Sequence, residues 1–269
     1  SISWSLTRQQ YGEQPYWAAI TLAAMLGQIG TPGGGIGFGY AIANYVGHNV
    51  APVPYAALPQ GTNNVADFIP VARISDMLLN PGGEFAYNGG TYSYPDIRLV
   101  YWAGGNPFHH HQDLNRLAEA WQRPDSVIIH DWCWNAAAKR ADIVLPCTTM
   151  LERTDIGMTP RDPYVIAMHK AIDPVGEARD DYDILAGIAQ EMGCGDSFRE
   201  GRSSEEWVRH LWSESRARAE ARGVELPDYG SLVAAGWHKL PRPEDEPVMF
   251  AAFRKDPQAN PLRTPSGLI

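Results

Sequence analysis

A strand–helix–strand pattern across residues 96–131 constrains the fold of this chain more than any other feature. Residues 97–102 are mostly apolar and β-prone, and this predicted strand stops at a glycine pair at 104–105. Apolar residues then recur at helical spacing over 114–121, and residues 127–129 begin a second apolar strand. A strand, a crossover helix and a second strand of this length form a parallel βαβ unit. The sequence therefore predicts an α/β fold with a parallel, dinucleotide-binding-like sheet and flanking helices.

Ligands of such units bind at the carboxyl ends of the strands. The polar and small residues at the two predicted strand ends are Gly104, Gly105, Asn106, His110, His130 and Asp131. Glycines allow a ligand to approach closely, amides at a helix start favour phosphate, and an asparagine offers both a donor and an acceptor to a base or ribose. Each residue alone is also typical of a turn or a helix cap, so the hypothesis of a nucleotide site rests on the whole set.

Periodicity and turn residues predict the remaining elements. The predicted helices cover 15–30, 65–79, 133–140, 180–193 and 203–222, and further strands cover 142–146 and 163–170. The first of these helices is apolar nearly all round, which predicts that it is packed on several sides. From Leu226 the sequence is rich in proline and charge, which predicts a linker or a segment that wraps around the protein in extended form.

Charge, cysteines and histidines argue against several classes of function. A net charge of −9 provides no basic face for a nucleic acid. The three cysteines are scattered, without the spacing of a disulfide framework or a zinc site. The adjacent histidines at 109–111 cannot all face one ion, so no metal site is predicted. The longest apolar run, 16–27, is shorter than the roughly 20 residues that a bilayer requires, so no membrane span is predicted.

Several phrases together resemble one enzyme family. They are WSLTRQQYGEQ, MLGQIGTPGGGIGFGY, AGGNPFHHHQDLNRL, VIIHD, RADIVLPCTTMLERTDIG, EARDDYDIL and NPLRTPSG, in this order along nearly the whole chain. They resemble the dimethyl sulfoxide reductase family of molybdenum enzymes. The run GNPFHHHQD resembles the branch of the trimethylamine N-oxide, dimethyl sulfoxide and biotin sulfoxide reductases.

The resemblance implies a bis(molybdopterin guanine dinucleotide) molybdenum cofactor held between two α/β domains. It also implies two catalytic candidates, since Arg8 would polarise the substrate oxide and Trp4 would form a wall of the substrate funnel. The cofactor-binding residues implied by the family pattern are Trp4, Ser5, Arg8, Gly105, Asn106, His110, His130, Asp131, Arg153 and Asp183. Without the resemblance, Arg153 is typical of a phosphate donor or a surface ion pair, and Asp183 of a carboxylate at a helix start.

The resemblance also divides the chain. Residues 1–95 would be the end of a first cofactor-binding α/β domain with a connecting excursion, and 96–200 a second, dinucleotide-binding-like domain. Residues 201–269 would be a helix and a linker toward a C-terminal barrel. The metal-ligating serine of the family would lie upstream of Ser1, so we expect an internal fragment that carries no metal ligand and is inactive alone. Relatives often carry threonines after the strand-end aspartate, where this chain has the hydroxyl-free run WCWNA.

For the intact parent, the resemblance implies reduction of an S-oxide or N-oxide by oxygen-atom transfer. Electrons would come from a donor protein or a reduced nucleotide, and the remainder of the parent would complete the site. Two alternatives remain open: a non-catalytic nucleotide- or molybdopterin-binding module, and a nucleotide-dependent dehydrogenase. The dehydrogenase would need a GxGxxG turn followed by an acidic residue about 20 positions on, and neither is present. The sequence is compatible with the bacterial cytoplasm or the periplasm.

Overall fold

The computed structural model describes residues 2–37, 53–65, 67–159, 162–242 and 248–269. Its helices and strands, in chain order, are α1 (Gln14–Met25), α2 (Ile74–Leu79), β1 (Glu84–Tyr87), β2 (Gly90–Ser93), β3 (Leu99–Ala103), α3 (Pro107–His110), α4 (Leu114–Ala120), β4 (Ser126–Asp131), β5 (Ile143–Pro146), β6 (Asp155–Gly157), β7 (Tyr164–Met168), α5 (Asp181–Glu191), α6 (Gly195–Arg199), α7 (Ser204–Glu220), α8 (Tyr229–Ala235), β8 (Trp237–Lys239) and α9 (Ala251–Lys255). Short 3-10 turns lie at Trp4–Arg8, Val71–Arg73 and Ala138–Arg140.

The chain forms two compact units, each assembled from separate segments. The first unit contains Ser1–Ala56, Ile156–Ala167 and Leu211–Ile269, and the second contains Ala57–Asp155 and Met168–His210. The expected division into 1–95, 96–200 and 201–269 runs along the chain and stays a prediction.

The second unit contains the predicted parallel sheet. Its strand order is β3–β4–β5, with β3 parallel to β4 and β4 parallel to β5. Helix α4 connects β3 to β4, as the helical spacing of its apolar residues predicts. The register pairs Ala103 with His130 and Asp131 with Pro146. The carboxyl ends of the three strands therefore lie along one edge, which confirms the predicted α/β fold.

Large apolar side chains fill the core between this sheet and α4. Leu117 and Trp121 from the α4 region are buried against Val127 and Ile129 of β4. The Trp121 ring meets the Phe108 ring edge to face, with centroids 5.4 Å apart. Burial of a side chain of this size contributes about 1.5–3 kcal/mol, so this cluster fixes the helix against the sheet.

The first unit has its own core around α7. Trp212 is buried and its Nε1 donates to the carbonyl of Pro227 at 3.0 Å. Ser215 is also buried, where its hydroxyl accepts from the Ala56 amide at 2.9 Å. Strands β6, β7 and β8 form a second sheet in which β7 and β8 are antiparallel.

Over residues 226–240 the chain is not extended in the way that its prolines suggested. Leu226 and Leu232 are buried in the core of the first unit, and the segment contains α8 and β8. Asp228 caps α8, because its Oδ1 accepts from the Ser231 amide at 2.9 Å. The apolar residues between the prolines are therefore sufficient to anchor this segment.

The helices predicted over 133–140 and 65–79 are shorter than expected because local chemistry competes with them. Over 133–140 the structure has turns and a final 3-10 turn, since the Asn135 Oδ1 accepts from the amides of Ala137 and Ala138 at 2.9 and 3.0 Å. Over 65–79 helical structure begins only after Pro70, with the 3-10 turn and α2. Proline lacks an amide proton and disfavours the helical conformation of the residue before it.

Helix α1 confirms the predicted helix as far as Met25 but not its predicted continuation to residue 30, and its packing also differs from the prediction. Ala23 is the buried residue of this helix, whereas Trp17 is 62% exposed and Met25 is 80% exposed. Continuous apolarity predicts that a helix is covered on several sides, whereas much of the apolar surface of α1 is exposed. Across the described ranges, none of the helices has the length and apolarity needed to cross a membrane.

Candidate functional site

The turn after β3 brings backbone and open space together. Gly104 and Gly105 have φ angles of +83° and +72°, a conformation that favours glycine. A Cβ on Gly104 would meet no atom within 4 Å. The Trp102 Nε1 donates to the Gly104 carbonyl at 2.8 Å and so fixes the turn. This geometry leaves room for a ligand against the backbone at the strand end.

Asn106 follows the glycines and caps the short helix α3. Its Oδ1 accepts from the Phe108 amide at 3.0 Å. Among the described residues its Nδ2 has no hydrogen-bond acceptor, so this amide can donate to a ligand. His110 is exposed on the same helix, with its ring centroid 5.2 Å from that of His111. Asn106 is therefore the helix cap that its sequence position also allowed, and its Nδ2 is still available as a donor.

At the end of β4, the buried His130 is held by two side chains. Its Nδ1 lies 2.7 Å from Asp181 Oδ1, and its Nε2 lies 2.5 Å from the Tyr101 hydroxyl. Since an ionised carboxylate only accepts, Nδ1 donates to Asp181, and Nε2 and the Tyr101 hydroxyl form the second hydrogen bond. Burial and the charge of Asp181 raise the pKa of Tyr101, so its hydroxyl keeps its proton at neutral pH.

Asp131, the next residue, is also buried and internally bonded. Its Oδ1 accepts from the Cys133 amide at 3.1 Å, and its Oδ2 accepts from Asn135 Nδ2. These bonds shape the turn after β4 in the way that a capping carboxylate does. Trp132 and Trp134 of the same turn are 69% and 70% exposed.

The loop after β5 is organised by a buried carboxylate, Glu152. Its Oε2 accepts from the amide and hydroxyl of Thr149 at 2.7 and 2.8 Å, and its Oε1 accepts from the Val175 amide at 2.7 Å. The backbone donors at Thr149 and Val175 hold the pKa of Glu152 below its usual range. Sequence reasoning missed this residue, although the Thr-x-x-Glu spacing is that of a capping box.

Beside this loop lies a cleft of about 510 Å³ within the second unit. Arg153 lines it and donates from Nη1 to the Thr148 carbonyl at 3.0 Å. Asp183, in the first turn of α5, lines it as well and lies 3.8 Å from Arg199 Nη1. The structure thus brings together Arg153 and Asp183, which are far apart in the sequence.

The charged residues of this cleft differ in the groups that they contact. The basic residues that line it are Arg153, Lys170, Arg179 and Arg199, and the acidic ones are Glu152, Asp180, Asp183 and Glu205. Glu152 accepts three hydrogen bonds, and Asp180 accepts from the hydroxyls of Thr148 at 2.7 Å and Ser204 at 3.4 Å. These two carboxylates keep their charge but are held by neutral donors, whereas Arg153 lies 3.4 Å from Asp155 and Arg199 lies 3.8 Å from Asp183.

The Cys147 thiol, just after β5, is affected by charged groups near the ends of both β4 and β5. Burial, followed by the charges of Asp181 and Asp131, raises the pKa of its thiol to about 11, against a smaller opposing effect of Arg153. At neutral pH the thiol is therefore protonated, which makes it a poor nucleophile and a poor metal ligand. In the described part of the chain, no group of three or more His, Cys, Asp or Glu side chains could hold a metal ion.

The predicted funnel residues belong to the first unit. Trp4, Ser5 and Arg8 share the 3-10 turn Trp4–Arg8. The Ser5 hydroxyl lies 2.8 Å from the Ser3 hydroxyl, which also caps this turn through the Ser5 amide. The side chains of Trp4 and Arg8 lie outside the described part of the structure, so their catalytic role stays a prediction.

Comparison with known proteins identifies the family. A family profile described as molybdopterin oxidoreductase matches residues 1–191. The chain belongs to this family.

Curated relatives match this chain along nearly its whole length. It is 52% identical over 270 residues to a biotin sulfoxide reductase from Cereibacter sphaeroides, and the match covers 100% of this chain and 36% of that protein. It is 44% identical to a dimethyl sulfoxide/trimethylamine N-oxide reductase of the same organism, with 100% and 34% covered. A trimethylamine-N-oxide reductase from Haemophilus influenzae is 39% identical, with 99% and 34% covered. The chain thus spans about a third of the length of these relatives.

A solved structure of acetylene hydratase from Pelobacter acetylenicus is also similar, with a TM-score of 0.43 and 19% sequence identity over 65% of this chain and 22% of that chain.

Membership of the family implies a molybdenum–molybdopterin cofactor. The second unit fits such a group, because a phosphate-bearing ligand needs close backbone approach and cations. The Gly104–Gly105 turn supplies the first and the guanidinium groups of the cleft supply the second, although neither of these two glycines lines the cleft.

Proposed function

We propose that this chain forms part of the site for a bis(molybdopterin guanine dinucleotide) cofactor in a reductase of S-oxides or N-oxides. The names of the relatives support the substrate class. The observation that carries the proposal is the cleft of the second unit, where Arg153 and Asp183 converge although 30 residues separate them. The remainder of a longer protein would complete the site, including the metal ligand.

Within this site each group has a distinct task. Gly105 lets the dinucleotide lie against the backbone, and the free Nδ2 of Asn106 donates to one of its acceptors, with His110 beside it. Arg153 donates to phosphate, and the Asp183 carboxylate accepts from the guanine edge. His130 and Asp131 hold the strand ends in place around the nucleotide.

The reaction itself needs few groups from this chain. When bound, the molybdenum cofactor would supply oxygen-atom transfer, in which an S-oxide or N-oxide, two electrons and two protons give the sulfide or amine and water. Arg8 would polarise the oxide oxygen, and Trp4 and Ser5 would line the pterin side of the funnel. The electrons would come from a donor protein or a reduced nucleotide.

Titration of guanosine diphosphate (GDP) into the full chain, followed by calorimetry, tests the proposal. We expect GDP to bind more tightly than ADP, because Asp183 recognises guanine. Arg153→Gln should weaken GDP binding about 10-fold, as expected for loss of a charge-assisted hydrogen bond. Asp183→Asn should reduce the preference for GDP over ADP.

Arg123→Gln is the matched control, because Arg123 is exposed in the turn between α4 and β4, at the amino ends of the strands. Its GDP affinity should equal that of the unaltered chain. Absence of GDP binding by the unaltered chain would contradict the proposed function. Equal GDP affinity of the Arg153→Gln and Arg123→Gln variants would show that Arg153 is not part of the site.

A further inference from the structure

Arg179 is held at the same sheet edge by its backbone. Its amide donates to the Pro146 carbonyl at 3.1 Å, and its carbonyl accepts from the Thr148 amide at 3.1 Å. These bonds form a parallel bridge between Arg179 and Cys147. The residue therefore continues the parallel sheet beyond β5, and its Cα is fixed two residues before α5 begins.

The side chain of Arg179 differs from the other arginines of the cleft. Arg153 is anchored to Thr148 and Asp155, and Arg199 lies near Asp183 and over the Tyr182 ring. The Arg179 guanidinium is exposed and, within the described ranges, makes no ion pair or hydrogen bond. It lines the cleft of Arg153 and Asp183, where Glu152 and Asp180 are already engaged by other donors.

The helix start beside Arg179 cannot serve an anion by itself. The first turn of α5 carries Asp181 and Asp183, whose negative charges already offset the positive end of the helix dipole. A phosphate at this edge therefore needs a cation that is not neutralised. A guanidinium meets that need with several donors in a planar fork that matches two phosphate oxygens.

We propose that Arg179 is a binding residue for the diphosphate of the guanine dinucleotide arm, and that its guanidinium donates to the diphosphate oxygens from the wall of the cleft. This assignment rests on the proposed function, and it adds Arg179 to the cofactor-binding residues that the family pattern implies. In this arrangement Arg179 contacts the phosphates and Asp183 contacts the base.

Calorimetric titration of the full chain with GDP, inorganic diphosphate and guanosine tests the assignment. Arg179→Gln should weaken GDP and diphosphate about 10-fold, the loss expected for one charge-assisted hydrogen-bonding group, and leave guanosine unchanged. Arg179→Lys should be intermediate, since it keeps the charge and loses the fork. Arg123→Gln, an exposed arginine of the same unit, should bind all three ligands as the unaltered chain does.

The outcomes separate this assignment from the proposed function. GDP binding by Arg179→Gln within about twofold of the Arg123→Gln control would overturn the assignment and leave the proposed function standing. An equal loss of guanosine affinity would also overturn it, because the residue would then act on the shape of the site and not on phosphate. Absence of GDP binding by the unaltered chain would overturn both. A thermal melt of each variant confirms that it is folded.

Discussion

The carboxyl ends of β4 and β5 lie side by side on one sheet edge, yet their polar groups are used in opposite ways. At the β4 end, His130 and Asp131 are buried, and the hydrogen bonds they make are to other parts of the same unit. At the β5 end, Arg153, Arg179 and Asp183 line an open cleft. The polar residues of the β4 end therefore stabilise the edge, whereas those of the β5 end are accessible from the cleft.

This comparison can be tested by stability and by ligand binding. Residues that build the edge should affect the free energy of unfolding more than ligand affinity. Residues that face the cleft should do the reverse.

The largest effect on stability is expected at His130. His130→Ala should lower the free energy of unfolding by about 2–4 kcal/mol, because it leaves a cavity and removes the partner of Tyr101 and Asp181. His109 is exposed, so His109→Ala should cost less than about 0.5 kcal/mol in urea denaturation. Similar losses in the two variants would show that the His130 contacts do not stabilise the β4 end.

A smaller effect is expected at Asp131. Asp131→Ala should cost about 1–2 kcal/mol in the same urea denaturation, as does the removal of a capping carboxylate, because the Cys133 amide and Asn135 lose their acceptor. Asp131→Asn keeps one acceptor oxygen and should cost less. A loss of GDP affinity greater than that of Asp183→Asn would show instead that Asp131 faces the ligand.

Glu152 provides a pH-dependent test of the loop beside the cleft. Its pKa in the folded chain is below the ordinary value of 4.5, so its contribution to stability is present above that value and is lost as the pH falls through the folded pKa. The free energy of unfolding should therefore fall more steeply from about pH 5 to about pH 3 in the unaltered chain than in Glu152→Gln.

The exposed carboxylate Glu177 is the matched control for this pH titration. Glu177→Gln should keep the steep acid loss of the unaltered chain. An unchanged slope in Glu152→Gln would contradict the assigned role of the Thr149 and Val175 amides.

The smallest effect is expected for the exposed indoles of the β4 end. Trp132→Ser and Trp134→Ser should each change the free energy of unfolding by less than about 0.5 kcal/mol, since most of each side chain already meets solvent. Losses above about 1 kcal/mol in chemical denaturation would show that the indoles stabilise the turn. The residues that stabilise the β4 end would then include more than His130 and Asp131.

The sheet could be predicted because its signals are local. The period of the apolar residues and the glycines at 104–105 are sufficient to place β3, α4, β4 and β5. The Asn106 cap is equally local, as it reaches only two residues along the chain. The bonds between Thr149 and Glu152 are also local, because they join residues at the spacing of a capping box.

The internal bonding of His130 depends on contacts that no local pattern encodes. Asp181 is 51 residues away in the sequence and Tyr101 is 29 residues away. The exposed face of α1 has a related cause, because apolarity predicts that a surface is covered without naming what covers it. The availability of Arg179 is likewise visible only after the other charges of the cleft have been assigned their partners.

Hydrogen–deuterium exchange of the full chain with and without saturating GDP tests the central claim most directly. If the sheet edge binds the guanine dinucleotide arm, exchange should slow in the turn at 104–110, in the loop at 148–154 and at the start of α5, while the hairpin of β1 and β2 stays unchanged. Unchanged exchange in all three segments, or protection confined to the hairpin, would contradict the account.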